Sequence, residues 1–327
     1  MSTCLTPGKG SLLGRLCALV GLVALLGAQS ALAEQARREQ QFMARQDAGR
    51  IEVLSGALQR IRQAGAVKLG YRQDLAPFSF VPEGWRRPVG YSIDICKNLV
   101  DVIASRLDKP LAIEWVPVNA ENRFEAVAKG RIDLECGASS DTAERRRIVS
   151  FSPPIFVTGT RLLVPRKAGL QSLDELKGKR IGVVASTTAD QALAAWLDKR
   201  GTHVELVGFE GYQSGFQALE SGDVAALLGD EVLLYTLLTQ KDKRGSYRMA
   251  GPWVSYDVYG IAFAHDDQAM QALVDNALAR LAFNRELDNL YIRWFQRRLP
   301  DAPSLDLPMS PTLRAVVDML ARKASAD

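Results

Sequence analysis

Strands and helices alternate twice along this chain, and that alternation restricts its fold more than any other feature. Residues 67–71 and 113–118 are short β-compatible apolar runs, and 132–136 is a third one following Gly130. Between the first two lies a helical pattern with apolar residues at 95, 99, 103 and 107. Between the second and third lies a short helix carrying Arg123, Phe124 and Val127, opened by Asn119. The series then restarts. Strands are expected at 179–184, 204–209 and 224–228, with helices over 187–197 and 215–220 and a further one beginning at Asp230. A β-α-β-α-β series folds as a mostly parallel sheet with helices on its faces. Two such series predict an α/β protein of two lobes. Residues 156–163 read as the crossing into the second lobe and 253–264 as the return. Lobe 1 is therefore expected over 51–157 and 258–327, and lobe 2 over 158–257. Helices over 51–64, 269–283, 288–295 and 311–324 complete lobe 1.

One stretch in this series stands out as a site. The apolar run 132–136 gives way to Gly137-Ala138-Ser139-Ser140, small residues that allow a ligand close to the backbone. These four are expected to turn, after which Asp141 or Thr142 can cap a short helix bearing Glu144 and Arg145. Sites of this kind open at the carboxyl ends of strands in α/β sheets. In the second series, Ser186-Thr187-Thr188 supplies hydroxyls and free N–H groups at a helix start, which suit an anion.

The first 33 residues are different in kind. Lys9 and Arg15 precede or open an apolar stretch over 16–26, and Ala31-Leu32-Ala33 offers a small-x-small cleavage site. This is the pattern of a cleavable secretory signal peptide, too short for an easy membrane span. It predicts an exported protein. Residues 34–50 are Gln- and Arg-rich without an apolar stripe and read as a flexible lead-in. Removing the leader takes two of 41 basic residues and none of 37 acidic ones, so the net charge falls from +4 to +2. A nearly neutral chain gives no reason to invoke nucleic acid.

The run Glu135-Cys136-Gly137, Glu144-Arg145, Phe151-Ser152 and residues 155–163 resembles the periplasmic solute-binding proteins of polar amino-acid ABC transporters. Within that family, known as family 3, it is most similar to the glutamate/aspartate-binding proteins. Residues 90–95, Gly-Tyr-Ser-Ile-Asp-Ile, resemble a second family signature. The resemblance spans about 51–320. It implies the type II periplasmic-binding-protein fold, with two lobes on a two-strand hinge. It further implies an acidic amino-acid ligand, ABC permease subunits as partners, a monomer, and no cofactor or metal.

Carried over residue by residue, Arg145 matches the clamp on the ligand α-carboxylate, and Thr187-Thr188 the contact from the opposite lobe. Asp230 matches the acid that takes the α-ammonium, with Ser139-Ser140 beside it; helix capping is the plain alternative for Asp230. Arg72 and Arg123 match two cations that help hold the ligand's carboxylates. The chain departs from the family at Ala120 and Ala138, where its members carry Ser, and at Tyr212, where they place a His. The mature chain keeps Cys96 and Cys136. A disulfide between them and two buried thiols are both open. The family shares only Cys136 and does not settle the choice; free thiols are the expectation.

Catalysis has little support. His203 and His265 are the only histidines, neither near the clamp residues in sequence, and no metal-ligand spacing or phosphate loop is present. Two alternatives remain on the same fold: a sensory module docking on a membrane receptor, and a periplasmic enzyme of dehydratase type.

Overall fold

A computed structural model describes residue 54, residues 56–200 and residues 203–326. The leader expected over 1–33 and the lead-in over 34–50 lie outside the described residues. In chain order the elements begin with α1 (Gly56–Ala64), β1 (Ala66–Tyr71), β2 (Asp74–Leu75), β3 (Ser79–Phe80), α2 (Tyr91–Leu107) and β4 (Ala112–Pro117). Then come α3 (Arg123–Ala128), β5 (Leu134–Ser140), a 3₁₀ turn (Arg145–Arg147), β6 (Val149–Phe151) and β7 (Phe156–Pro165). The second series is β8 (Arg180–Val184), α4 (Thr188–Arg200), β9 (Glu205–Phe209), α5 (Tyr212–Ser221), β10 (Ala226–Asp230) and α6 (Glu231–Gln240). The long β11 (Tyr247–Ala264) follows. The chain finishes with α7 (Gln268–Phe283), α8 (Glu286–Tyr291), β12 (Arg298–Leu299), β13 (Ala302–Ser304) and α9 (Pro311–Ala326).

The duplication legible in the sequence reappears as sheet order. The main path runs β4-β1-β5-β11-β7-β10-β8-β9, with β6 on β11. β1 pairs in parallel with β4 and β5, and β8 in parallel with β9 and β10. In each set the first strand lies in the middle, the second outside and the third inside. Antiparallel β7 and β11 join the sets, with Asp257 opposite Thr158 and Ser255 opposite Thr160. This is the two-lobed α/β architecture expected from the alternation.

Apolar spacing chose the buried faces. Ile95, Leu99, Ile103 and Leu107, one stripe of α2, are all buried, as helix periodicity requires. They join Leu58, Ile61, Val274 and Leu278 in a core that continues beneath the crossover strands. A second core, around Ile181, Val183, Leu193 and Leu228, lies in the other half. Under β7 and β11 the rings of Phe78, Tyr91, Phe156, Tyr259 and Phe295 pack together, most of them edge-on. Such contacts fix side-chain geometry as well as burying area. Here they hold the base of the crossover.

Two expectations need correction. Gly137–Ser140 do not turn; they continue β5, because Ser139 and Ser140 pair with Gly260 and Tyr259 of β11. The partner strand lies more than a hundred residues away in sequence, so local composition could not announce it. The cysteines are not free thiols. Cys96 and Cys136 form a disulfide, with Cα atoms 6.2 Å apart. Helix α2 packs across β5, which brings the two within bridging range. No helix among the described residues is long and apolar enough to cross a membrane.

Candidate functional site

Each of the six parallel strands delivers a residue at or just beyond its carboxyl end. Arg72 follows β1, Arg123 comes shortly after β4, Ser140 ends β5 with Arg145 beyond it, Thr187 and Thr188 follow β8, Tyr212 follows β9, and Asp230 ends β10. These eight residues, with Leu75, Ala138, Val184 and Leu233, line one cavity. Ser139 is the exception among the residues singled out by sequence. It is buried behind the wall, where its hydroxyl accepts from Arg123 Nε at 3.1 Å. The cavity is narrow, about 20 Å³, room for a single water molecule. The two halves touch across it: Ser140 Oγ lies 3.3 Å from Thr188 Oγ1. A cleft of about 800 Å³ opens alongside, bordered by residues 117–122 of one half and 208–211 of the other, with Arg72 on both.

Local chemistry explains how each group is held. Thr142 Oγ1 accepts from the Arg145 N–H at 3.2 Å, opening the 3₁₀ turn, and Arg145 Nη1 donates to the Ser140 carbonyl at 2.7 Å. The guanidinium centres of Arg123 and Arg145 lie 4.4 and 4.9 Å from the Phe124 ring centroid, so one ring supports both cations. Arg123 also donates to the Ala120 carbonyl. Arg72 Nη2 meets Asp74 Oδ1 at 3.2 Å. Thr187 serves its own helix: its hydroxyl donates to Val184 C=O at 2.7 Å and accepts from the Asp190 N–H. The hydroxyl of that pair that reaches across to Ser140 is therefore Thr188. Asp230 precedes α6, yet its side chain makes no capping bond. Its carboxylate instead accepts from Tyr259 OH and Thr160 Oγ1.

Two glycines allow close approaches here. A Cβ on Gly229 would lie 2.5 Å from Tyr212 Cε1, so its absence lets the Tyr212 hydroxyl accept from the Asp230 N–H at 3.2 Å. A Cβ on Gly137 would lie 2.4 Å from Glu135 Oε1.

The site gathers charge out of water. Arg72, Arg123, Arg145 and Asp230 are all at least nine-tenths buried. Desolvation, then the neighbouring Arg145 cation, pulls Arg123 down to about 9, still a cation at neutral pH. Desolvation also lowers Arg145, opposed by Asp230 and Asp257. Glu135 is wholly buried, its oxygens have no hydrogen-bond partner, and its charge favours both cations. Burial, then the charge of Asp257, pushes Asp230 up to about 7. Burial likewise holds the Tyr212 and Tyr259 hydroxyls well above their usual range. Buried guanidiniums and a buried carboxylate lining one cavity suit a small ligand carrying both signs of charge.

Sequence reasoning missed Glu135, Asp257, Thr160 and Tyr259. The available signal was an ionisable residue inside an otherwise apolar strand, as in Asp257-Val258-Tyr259-Gly260-Ile261. Ala138 lines the cavity and Ala120 the adjoining cleft, so both departures from the family pattern fall on the site.

Known proteins resemble this chain over most of its length. The chain is 30% identical over 274 residues to an L-glutamate/L-aspartate-binding protein of Pseudomonas aeruginosa, covering 83% of this chain and 91% of that protein. It is 28% identical to a glutamate/aspartate import solute-binding protein of Escherichia coli, covering 74% and 80%. An ancestral arginine-binding protein bound to arginine superposes with a TM-score of 0.64 at 26% identity, over 71% of this chain and 98% of that one. Residues 67–297 match the family model, and with these relatives they show that the chain belongs to the bacterial extracellular solute-binding proteins, family 3.

Proposed function

We propose that this protein is the amino-acid-capturing subunit of an ABC importer, taking an acidic amino acid between two closing lobes and handing it to membrane permease subunits. The observation that carries this reading is the convergence of three buried guanidiniums, a buried aspartate and hydroxyls from both halves on one cavity. Arg145 clamps the ligand α-carboxylate, with Thr188 and the nearby N–H groups reaching it from the other half. Asp230 takes the α-ammonium with Ser140 beside it. Arg72 and Arg123 neutralise the distal carboxylate, and Tyr212 closes the far wall.

The ligand needs far more room than one water occupies. Entry therefore requires the lobes, 51–157 with 258–327 against 158–257, to part about β7 and β11. The protein acts in the periplasm as a monomer, without cofactor, metal or catalysis.

Two relatives bear glutamate/aspartate names and support the acidic preference. Thermal-shift and calorimetric titration with L-glutamate, L-aspartate, their amides and L-arginine tests it, since a ligand of the folded state raises stability by mass action. The acids should bind more tightly than the rest. Binding of an amide or of arginine without the acids would overturn the reading. Small-angle scattering should show compaction when the bound acid is saturating.

A further inference from the structure

Asp230 has a second acid behind it. Asp257, on β11, is 3% exposed, Asp230 is 6% exposed, and Thr160 of β7, fully buried, lies between them. Thr160 Oγ1 is 3.4 Å from Asp230 Oδ1 and 3.3 Å from Asp257 Oδ2. Ser255, paired across the strands with Thr160, places its Oγ 2.9 Å from Thr160 Oγ1 and 2.7 Å from Asp257 Oδ2. Tyr259 OH meets the other oxygen of Asp230.

A hydroxyl brings one proton, so three hydroxyls bring three, while five oxygen–oxygen contacts must each hold one. With both carboxylates ionised, contacts are left without a proton, and two buried like charges face one another. One further proton removes the pair of like charges and leaves one contact, rather than two, without a proton. Other charged groups do not remove the need. Arg145 faces the pair, Arg72 faces Tyr212 beside it, and Arg123 lies within reach, but none forms an ion pair with either acid among the described residues. Glu231, the next residue, is engaged by Arg161 and Trp253. Tyr212 accepts from the Asp230 backbone.

We propose that Asp230 and Asp257 form one proton-sharing pair, and that a ligand ammonium arriving at Asp230 expels the shared proton to solvent. This rests on the ammonium role of Asp230 given above. The balance is simple: one carboxyl O–H bond breaks, its proton passes to buffer, and the ammonium keeps its three protons and donates to the Asp230 carboxylate. Asp257 is then a positioning residue that sets the protonation of Asp230 without touching the ligand. Burial, which lifts Asp230 to about 7, places the exchange near neutrality.

The test titrates L-glutamate and L-aspartate into the full chain at pH 6, 7 and 8, in buffers of different ionisation enthalpy. The free amino acids exchange no proton of their own near pH 6 to 7. About one proton should be released at pH 6 and nearly none at pH 8, with affinity about 10-fold weaker at pH 6. Asp257→Asn should flatten that dependence to about 2-fold or less. Binding with no proton release at pH 6 overturns the proposal and leaves the transport reading standing. Carboxyl ¹³C NMR of the ligand-free protein decides the pair without any ligand. An aspartate titrating near neutrality in the wild type, and lost in both Asp230→Asn and Asp257→Asn, supports it. If all aspartates titrate in the ordinary acidic range, the pair does not exist. Should neither acid bind, the transport reading falls while this spectrum still judges the pair. Should Asp257→Asn fail to fold, the wild-type proton count and spectrum carry the decision.

Discussion

Removing Arg145 is the sharpest perturbation of the proposed clamp. The residue is 8% exposed, and its guanidinium donates to the Ser140 carbonyl at 2.7 Å and stacks over Phe124. A ligand carboxylate bound there leaves water almost completely, so it must be paired. Arg145→Ala removes that partner and leaves a buried charge unmatched, at a cost of roughly 3–5 kcal/mol. That corresponds to a loss of about 10²- to 10³-fold in affinity or more. Arg145→Lys should recover part of it, since an ammonium is cationic but lacks the planar two-donor fork. The fold should tolerate Arg145→Ala, because one hydrogen bond worth about 1 kcal/mol is lost while the desolvation of a buried cation is relieved. Arg147 is the control: it lies in the same 3₁₀ turn but is exposed. Calorimetry with L-glutamate and L-aspartate gives the affinities, and circular dichroism confirms folding. Equal affinity in folded Arg145→Ala and Arg147→Ala would refute the clamp.

Three further outcomes are expected. Replacing Cys96 and Cys136 together by Ser opens a crosslink spanning 40 residues, which should cost about 4 kcal/mol in urea unfolding; an unchanged midpoint and slope would contradict it. Gly229→Ala drives a methyl into the Tyr212 ring and should destabilise by about 1–3 kcal/mol, with weaker ligand binding; a neutral result in both assays would show that the ring moves freely. Asp230 titrates higher folded than unfolded, so the native state binds the extra proton between the two values. Its contribution to stability is present at low pH and fades as pH rises towards about 7, with a slope of at most about 1.4 kcal/mol per pH unit for one proton. Measured as wild type minus Asp230→Asn without ligand, a difference that grows with pH over this window would reverse the sign and refute it.

The sequence by itself determined the class of fold and most of the cavity wall. Apolar period marks which face of a strand or helix is buried, and that signal is local, so Ile95, Leu99, Ile103 and Leu107 announce α2 without knowledge of its neighbours. The alternation of strands and helices then dictates two parallel sets, and parallel sets carry their sites at strand ends. The resemblance to family 3 binding proteins then singled out Arg72, Arg145, Thr188 and Asp230, and these converge on one cavity. Tertiary structure decided what depends on partners distant along the chain. Residues Gly137–Ser140 read locally as a turn and became strand because β11 supplies their hydrogen bonds. Cys96 and Cys136 became a disulfide because α2 crosses β5. Thr187 and Thr188, alike in sequence, divided into a helix cap and a hydroxyl that meets Ser140 across the cavity. Asp257 stood out locally only as an ionisable residue in an apolar strand, and its partners were set by what folding packs against it. Thr160 comes from 97 residues away in the chain, and only the pairing of β7 with β11 puts the two together.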